Sequence, residues 1–404
     1  MQAAQLSSFL RGSKYRAESL VSMGRPTTND ACPIGGESMP HRIRVFVFAL
    51  LAFAAVALVA APRPAGRPAA AELKVLQPIT QENLTIFPVV AADIHDASRF
   101  LTLDEGIRSG EVVITEAGRV QPLLRRRLPR PDYSPGGDVN RLVLVNNSDR
   151  PLLLLAGEIV TGGKQDRVIA KDRIVPPGSQ PVDLGVFCVE PGRWTAVSER
   201  FDSSRAPMAQ PSVRGRAMAD KDQQRVWAEV RKSQTAAVEV VAEVPATSTA
   251  SASLASTTSY AGVMQNRAVQ RQMDKLTVPL ERKYENLLRE LRSRNAVGVV
   301  AAVNGRILWA DLFASPGLLE KYWPKLVRSY AAEAMLSRAA VGKADTASAQ
   351  DFLDRMDGQR QVVESEPGVF RHTQIDGDGF RVFELTSLLP KTGFDVHIAK
   401  MAEE

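Results

Sequence analysis

Leu152-Leu153-Leu154-Leu155-Ala156-Gly157-Glu158-Ile159-Val160-Thr161-Gly162-Gly163-Lys164-Gln165-Asp166-Arg167 decides how this chain is read. An apolar run of strand length meets a Gly-Gly pair able to turn tightly, and a dense polar tip follows. Strands are expected over 152–159, 166–174 and 182–189, with Pro176-Pro177-Gly178 turning the chain between the last two. Short strands at short spacing suggest an antiparallel sandwich or barrel.

Outward from that stretch, the N-terminal side is mostly strand. Leu84 to Val90 is β-branched and aromatic but holds Pro88, which suits an edge strand. Val112 to Glu116 and Arg141 to Val145 are further strands, and Tyr133 to Asp138 is a Pro/Gly loop. On the C-terminal side the period changes, because Val226, Trp227 and Val230 mark an amphipathic helix after Arg214. Thr247 to Thr258 is Ser/Thr/Ala-rich and reads as a mobile loop. A helix over 264–294, broken near Pro279, precedes two strands joined by Asn304-Gly305, where both turn positions need positive φ. Pro316 then opens a helix running to about Leu336, and a short one covers 348–356. Strands 368–375, 380–386 and 394–399 close the chain, with Asp376-Gly377-Asp378-Gly379 as a turn. The fold class expected is α+β: an antiparallel sandwich or barrel-like sheet, a helical middle section, and terminal strands rejoining the sheet. Residues 72–404 are read as one domain, the alternative being two domains divided in the 247–258 stretch.

Residues 39–71 have the parts of a secretory signal: a basic start at His41-Arg42-Ile43-Arg44, an apolar segment from Val45 to Ala61, and Ala69-Ala70-Ala71 before Glu72. Residues 1–38 fit no part of such a signal and read as an upstream extension to a start at Met39. The protein is therefore expected to be exported to the periplasm or the exterior, with the export signal as its only dealing with a membrane. The first 71 residues carry 8 Lys+Arg and 3 Asp+Glu, so of the formal net charge of +6 only +1 belongs to the remainder. A nucleic-acid partner is not indicated by that balance, and Arg125-Arg126-Arg127 with Arg130 reads as a solvated loop.

Chemistry-bearing residues gather in the opening stretch and just beyond it. Glu158 interrupts an apolar strand, so its carboxylate needs a partner, and Lys164 or Arg167 is the nearest cation across the turn. Lys164, Gln165, Asp166 and Arg167 offer two cations, an amide and an acid, or simply a charged hairpin tip. Glu190, Arg193 and Trp194 follow a strand end, where a guanidinium beside an indole can hold an anion and stack a ring, or can cap the core. Trp194 is expected to be at least half buried in either case. Cys188 is a lone thiol, a buried filler or a nucleophile. Of the histidines, His95 and His372 lie in turn-like contexts and His397 in a strand, so its partner for catalysis is weak. No HxxxH or CxxC spacing occurs, and neither a metal nor a cofactor is expected.

Gly157-Glu158, Gly162 to Arg167, Cys188 to Trp194 and Ala302-Val303-Asn304-Gly305-Arg306, taken together, resemble the ADP-ribosylglycohydrolase- and rhodanese-phosphatase-associated protein domain family from about Leu84 to Met401. The resemblance implies a domain that binds or processes a nucleotide-like or ADP-ribose-like compound. Three classes of function stay open. A binding module would hold a small anionic ligand between Lys164–Arg167 and Arg193-Trp194. A hydrolase would use Glu158 or Glu190 as general base with Lys164 or Arg167 holding the anion, Cys188 being a further catalytic candidate. A structural envelope protein would hold no small ligand.

Overall fold

The computed structural model describes residues 73–117, 141–203, 206–243, 248–338, 340 and 342–403. The expected leader, the arginine cluster at 125–130 and the loop expected at 133–138 lie outside these. In chain order the strands and helices are β1 (Lys74–Val75), β2 (Ile79–Gln81), β3 (Leu84–Val90), β4 (Leu101–Thr102), α1 (Leu103–Ser109), β5 (Val112–Glu116) and β6 (Arg141–Asn146). Then come β7 (Leu152–Leu154), β8 (Ile159–Gly162), β9 (Arg167–Ile169), β10 (Arg173–Val175), β11 (Val182–Cys188) and β12 (Phe201–Asp202). The helical middle is α2 (Pro211–Gly215), a π-helical turn (Arg216–Asp220), α3 (Gln223–Ala242), α4 (Ser248–Ser256), α5 (Tyr260–Gln265) and α6 (Arg267–Ser293). The chain closes with β13 (Ala296–Val303), β14 (Arg306–Phe313), α7 (Pro316–Leu336), α8 (Thr346–Asp354), β15 (Gln359–Glu366), β16 (Phe370–Gly377), β17 (Phe380–Ser387) and β18 (Asp395–Ala402).

Among the described residues the strands form three sheets. The largest runs β1-β3-β13-β14-β18-β17-β16-β15, with β2 also on β3, so the terminal strands do rejoin the sheet of the opening ones. Its ladders are antiparallel throughout. A second sheet, β12-β8-β9-β11-β6-β5, curls back on itself until Thr115 of its last strand bridges Arg200 beside its first. It is a nearly closed barrel filled by Leu142, Leu144, Ile114, Val160, Val186 and Phe201. The third, β10-β7-β4, contains the parallel pair β4–β7. The fold is α+β.

The turn Asn304-Gly305 has φ of 53° and 78°, as a two-residue hairpin requires. A Cβ on Gly305 would also come within 2.3 Å of the Gly342 backbone, so close packing fixes the residue as well as its torsions.

Five local expectations are corrected. The run 152–159 is not one strand: at Gly157 the backbone has φ +93°, and the halves on either side, β7 and β8, join different sheets. A Cβ there would lie 2.5 Å from the Arg214 side chain, so the glycine marks where a buried arginine crosses the chain. The stretch 166–174 divides likewise into β9 and β10. Strand β3 is not an edge. β13 covers one side, while β1 and β2 divide the other, and Pro88 falls between the segments that they pair with. The Ser/Thr/Ala-rich stretch is not a mobile loop but helix α4, which seats Leu254 in the core and has the Leu254 carbonyl oxygen bonded by Gln234 Nε2 of α3 at 2.9 Å. Small side chains let α4 lie close against α3, so a tertiary contact supplies what its composition lacks. Finally, α6 passes through Pro279 unbroken, and the break falls at Asn266, whose Oδ1 accepts the Ala268 N–H at 2.9 Å.

Candidate functional site

The expected polar residues separate into two groups. Just past β11, Arg193 folds inward. Its Nε and Nη2 donate to the two Glu190 carboxylate oxygens at 2.8 and 2.6 Å, and Nη2 also reaches Asp166 Oδ1 at 3.2 Å. Nη1 donates to the carbonyl oxygens of Gly163 and Thr195 at 2.6 and 3.1 Å. Asp166 in turn accepts from Ser259 Oγ at 2.7 Å and from the Gly162 N–H at 3.1 Å, and the Asp166 N–H donates to Glu190 at 2.9 Å. Gln165 is buried and its Nε2 donates to the Glu190 carbonyl oxygen at 3.1 Å. The sequence thus brings Gln165, Asp166, Glu190 and Arg193 together as anticipated, but the guanidinium spends its donors on the protein itself. Glu190 raises the affinity of Arg193 for its proton still further. The arrangement ties the Gly162-Gly163 turn to the 190–195 loop.

Three other members are placed differently. Lys164 is exposed, and its backbone N–H is held by Glu116 Oε1 at 3.0 Å. Arg167 is buried, registered between Val160 of β8 and Cys188 of β11, and burial pulls its pKa down. Trp194 is 55% exposed, against the expectation of a half-buried ring. With Arg193 turned in toward two carboxylates, the next side chain along an extended loop points out. Cys188 is buried, accepts the Glu190 N–H at 3.4 Å, and has its thiol pKa raised by burial, the opposite of an activated nucleophile.

Glu158 belongs to the second group. It is 1% exposed, as an acid interrupting an apolar run suggests, but its cation is neither Lys164 nor Arg167. One carboxylate oxygen accepts the Leu155 N–H at 2.9 Å and the other faces Lys325 Nζ of α7 at 3.4 Å. Lys325 also pairs with Asp104 of α1 at 2.6 Å, and Ser203 Oγ donates to Asp104 at 2.6 Å. Burial raises the Glu158 pKa to about 7 despite Lys325. Glu158 does not reach across β8–β9 because the chain turns at Gly157, which sends this side chain toward α7.

Two arrangements went unread in the sequence. Asp311 of β14 receives both Nη atoms of Arg214 at 2.9 Å each, the Tyr330 hydroxyl, and His397 Nε2 at 3.1 Å. His397 Nδ1 lies 2.6 Å from Asp172, whose other oxygen accepts the Ala156 N–H at 2.7 Å. Arg214, Asp311, His397 and Asp172 are all 0% exposed. Two cations thus face two anions, and Arg214 stacks over Trp309. A charge inside each of two apolar strands, Asp311 and His397, was the available signal.

The second arrangement is a cleft of about 340 Å³ between barrel and large sheet, walled by Val186, Phe187, Met218 and Phe383. Its polar lining includes Lys171, Lys221 and His372. Met218 and Lys221 come from the π-helical turn and the residue that ends it, a local winding frequent at functional sites. Lys221 is held in the left-handed region, φ +52°, and its Nζ contacts the Gln374 side-chain oxygen at 3.3 Å. Burial and the nearby Lys171 lower its pKa. His372 lies in β16, not in a turn, is 2% exposed, and has no hydrogen-bond partner for either ring nitrogen among the described residues.

No match to this chain was found among curated proteins or among solved structures. A family model does match, over residues 72–399, and so takes in both groups, the buried network and the cleft. By that match the chain belongs to the ARPP-1 family, the ARG and Rhodanese-Phosphatase-superfamily-associated Protein domain.

Proposed function

We propose that this is an exported binding module for a small anionic ligand, and that the ligand enters the cleft between barrel and large sheet, not the 164–194 tip. The observation that carries the reading is Lys221: a lysine at an apolar cleft, bonded to an amide oxygen and to no carboxylate among the described residues. Lys221 stands exposed at the rim, so its ammonium is accessible to the acidic group of an entering ligand, and no carboxylate within ion-pair distance competes for it among the described residues. The volume falls at the lower end of the range for small-molecule sites, and apolar walls with a few polar groups are their usual composition. Phe187 and Phe383 suit a ligand with a flat body. A nucleotide-like or ADP-ribose-like compound fits this class, and the signal at 39–71 supports a site facing the exterior.

The test is calorimetry and thermal shift of the purified protein with inorganic phosphate, adenosine monophosphate, ADP-ribose and small aromatic carboxylates. At least one anion should bind the native protein and do so about tenfold more weakly in the Lys221→Gln variant. If none of these anions binds, the proposal is wrong.

Hydrolysis with Glu158 as general base is the second reading, favoured by a pKa of about 7. It requires turnover of a phosphate or glycosyl ester that Glu158→Gln abolishes while leaving anion binding intact. Glu190 is less suited to this role, being engaged by Arg193 through both oxygens.

A further inference from the structure

Within that cleft, His372 presents an incomplete hydrogen-bonding surface. An imidazole that is 2% exposed with both nitrogens unpartnered forfeits its bonds to water and regains none from the protein. Nearly all buried polar groups are satisfied, so an orphan lining a cleft is a place where a partner from outside the chain fits. Its surroundings fix its form. Burial lowers its pKa below the ordinary 6.5, with Lys171 and Lys221 acting in the same sense and Asp172 and Glu364 opposing. The ring is therefore neutral near pH 7, and a neutral imidazole offers one donor and one acceptor. The ring lies nearly parallel to Phe383, with centroids 6.3 Å apart, so the two rings line the cleft together.

We infer that His372 is the specificity-determining residue of the cleft and that the ligand is a heteroaromatic anion, whose ring heteroatom bonds the imidazole while its acidic group meets Lys221. This rests on the proposed binding role and narrows it. A purely carbocyclic anion would fill the same space and satisfy Lys221, but would leave His372 unpaired. The penalty for that choice is what sets specificity: a site that hydrogen-bonds its ligand discriminates strongly against an analogue lacking the group, because the protein's own polar atoms stay unpaired.

Matched probes make this measurable. Pyridine-3-carboxylate against benzoate, and indole-3-acetate against naphthalene-1-acetate, differ chiefly in a ring heteroatom that accepts or donates a hydrogen bond. Titration calorimetry on the native protein should show the heteroatom member of at least one pair binding about tenfold more tightly or better. In His372→Phe that preference should vanish while the carbocyclic member still binds, since the phenyl ring keeps the apolar wall. A measurement on the unmutated protein guards against a folding defect. With histidine ring nitrogens labelled, the His372 15N resonances should move on adding the preferred member and stay in place with its carbocyclic partner. Anions that bind with no preference within either pair, or a preference that survives in His372→Phe, overturn the inference and leave the binding role standing. Failure of every anion, heteroaromatic or not, removes the binding role and the inference together.

Discussion

His397 and His372 sit in the same large sheet, both almost entirely buried, yet they are opposites. His397 has a carboxylate on each nitrogen, at 2.6 Å from Asp172 and 3.1 Å from Asp311, and these carboxylates raise its pKa to about 9 against the pull of burial. His372 has no partner for either nitrogen among the described residues, and burial lowers its pKa. The first region is closed: its charges balance, and both imidazole nitrogens and both Nη atoms of Arg214 have carboxylate partners. The second is open, with Lys221 outside any salt bridge among the described residues and an orphan ring around an apolar space. Burial alone does not separate a structural histidine from a binding one. What separates them is whether the protein itself supplies the partners.

The largest effect that would break this contrast comes from the closed region. Asp311→Ala leaves Arg214 and His397 buried without their shared anion, and should cost about 3–5 kcal/mol in chemical denaturation. A cost below about 1 kcal/mol would show that the buried charges do not depend on one another.

The next test uses pH. A histidine whose folded pKa is about 9, above its ordinary 6.5, contributes stability that is fully present below pH 6.5 and is lost as pH rises through 9. Over that window the native protein should lose about 3 kcal/mol that a His397→Gln variant does not lose. Parallel slopes for the two would remove His397 as the titrating group.

Glu158 has the same sign for a different reason, because burial disfavours its charged form. Its carboxyl pKa is raised from 4.5 to about 7, so its burial is harmless below pH 4.5 and costs stability as pH climbs toward 7. Relative to the native protein, Glu158→Gln should gain about 3 kcal/mol between pH 4.5 and pH 8, read by urea unfolding at both values.

His372→Phe sharpens the contrast from the open side. Replacing an unsatisfied buried ring by an apolar one of similar shape should leave the ligand-free protein as stable as before or up to about 1 kcal/mol more stable. A loss of several kcal/mol would mean that the imidazole has structural bonds after all. Trp194→Ala should matter least, changing stability by less than about 0.5 kcal/mol, because the exposed indole contributes little to the core.

The sequence by itself determined the α+β class, the barrel-like run of short strands, the Asn304-Gly305 hairpin, the helix from Pro316 and the return of the last strands to the first sheet. These follow from local rules: period 2 against period 3.6, positive φ at a turn, and proline at a helix start. It also placed Gln165, Asp166, Glu190 and Arg193 in one neighbourhood, since a turn and a strand end adjoin in the β9–β11 pairing. Tertiary structure alone decided which charges meet. Glu158 pairs with Lys325, 167 residues away, because Gly157 bends the chain where Arg214 crosses it. α4 is helical because α3 receives it, and Trp194 is exposed because Arg193 takes the inward place. The cleft is assembled from the barrel, the π-helical turn and the large sheet, three parts of the chain that carry no shared pattern. Periodicity records which side of an element is apolar. It holds no record of which distant side chain arrives to satisfy a buried charge, or of which buried ring is left without one.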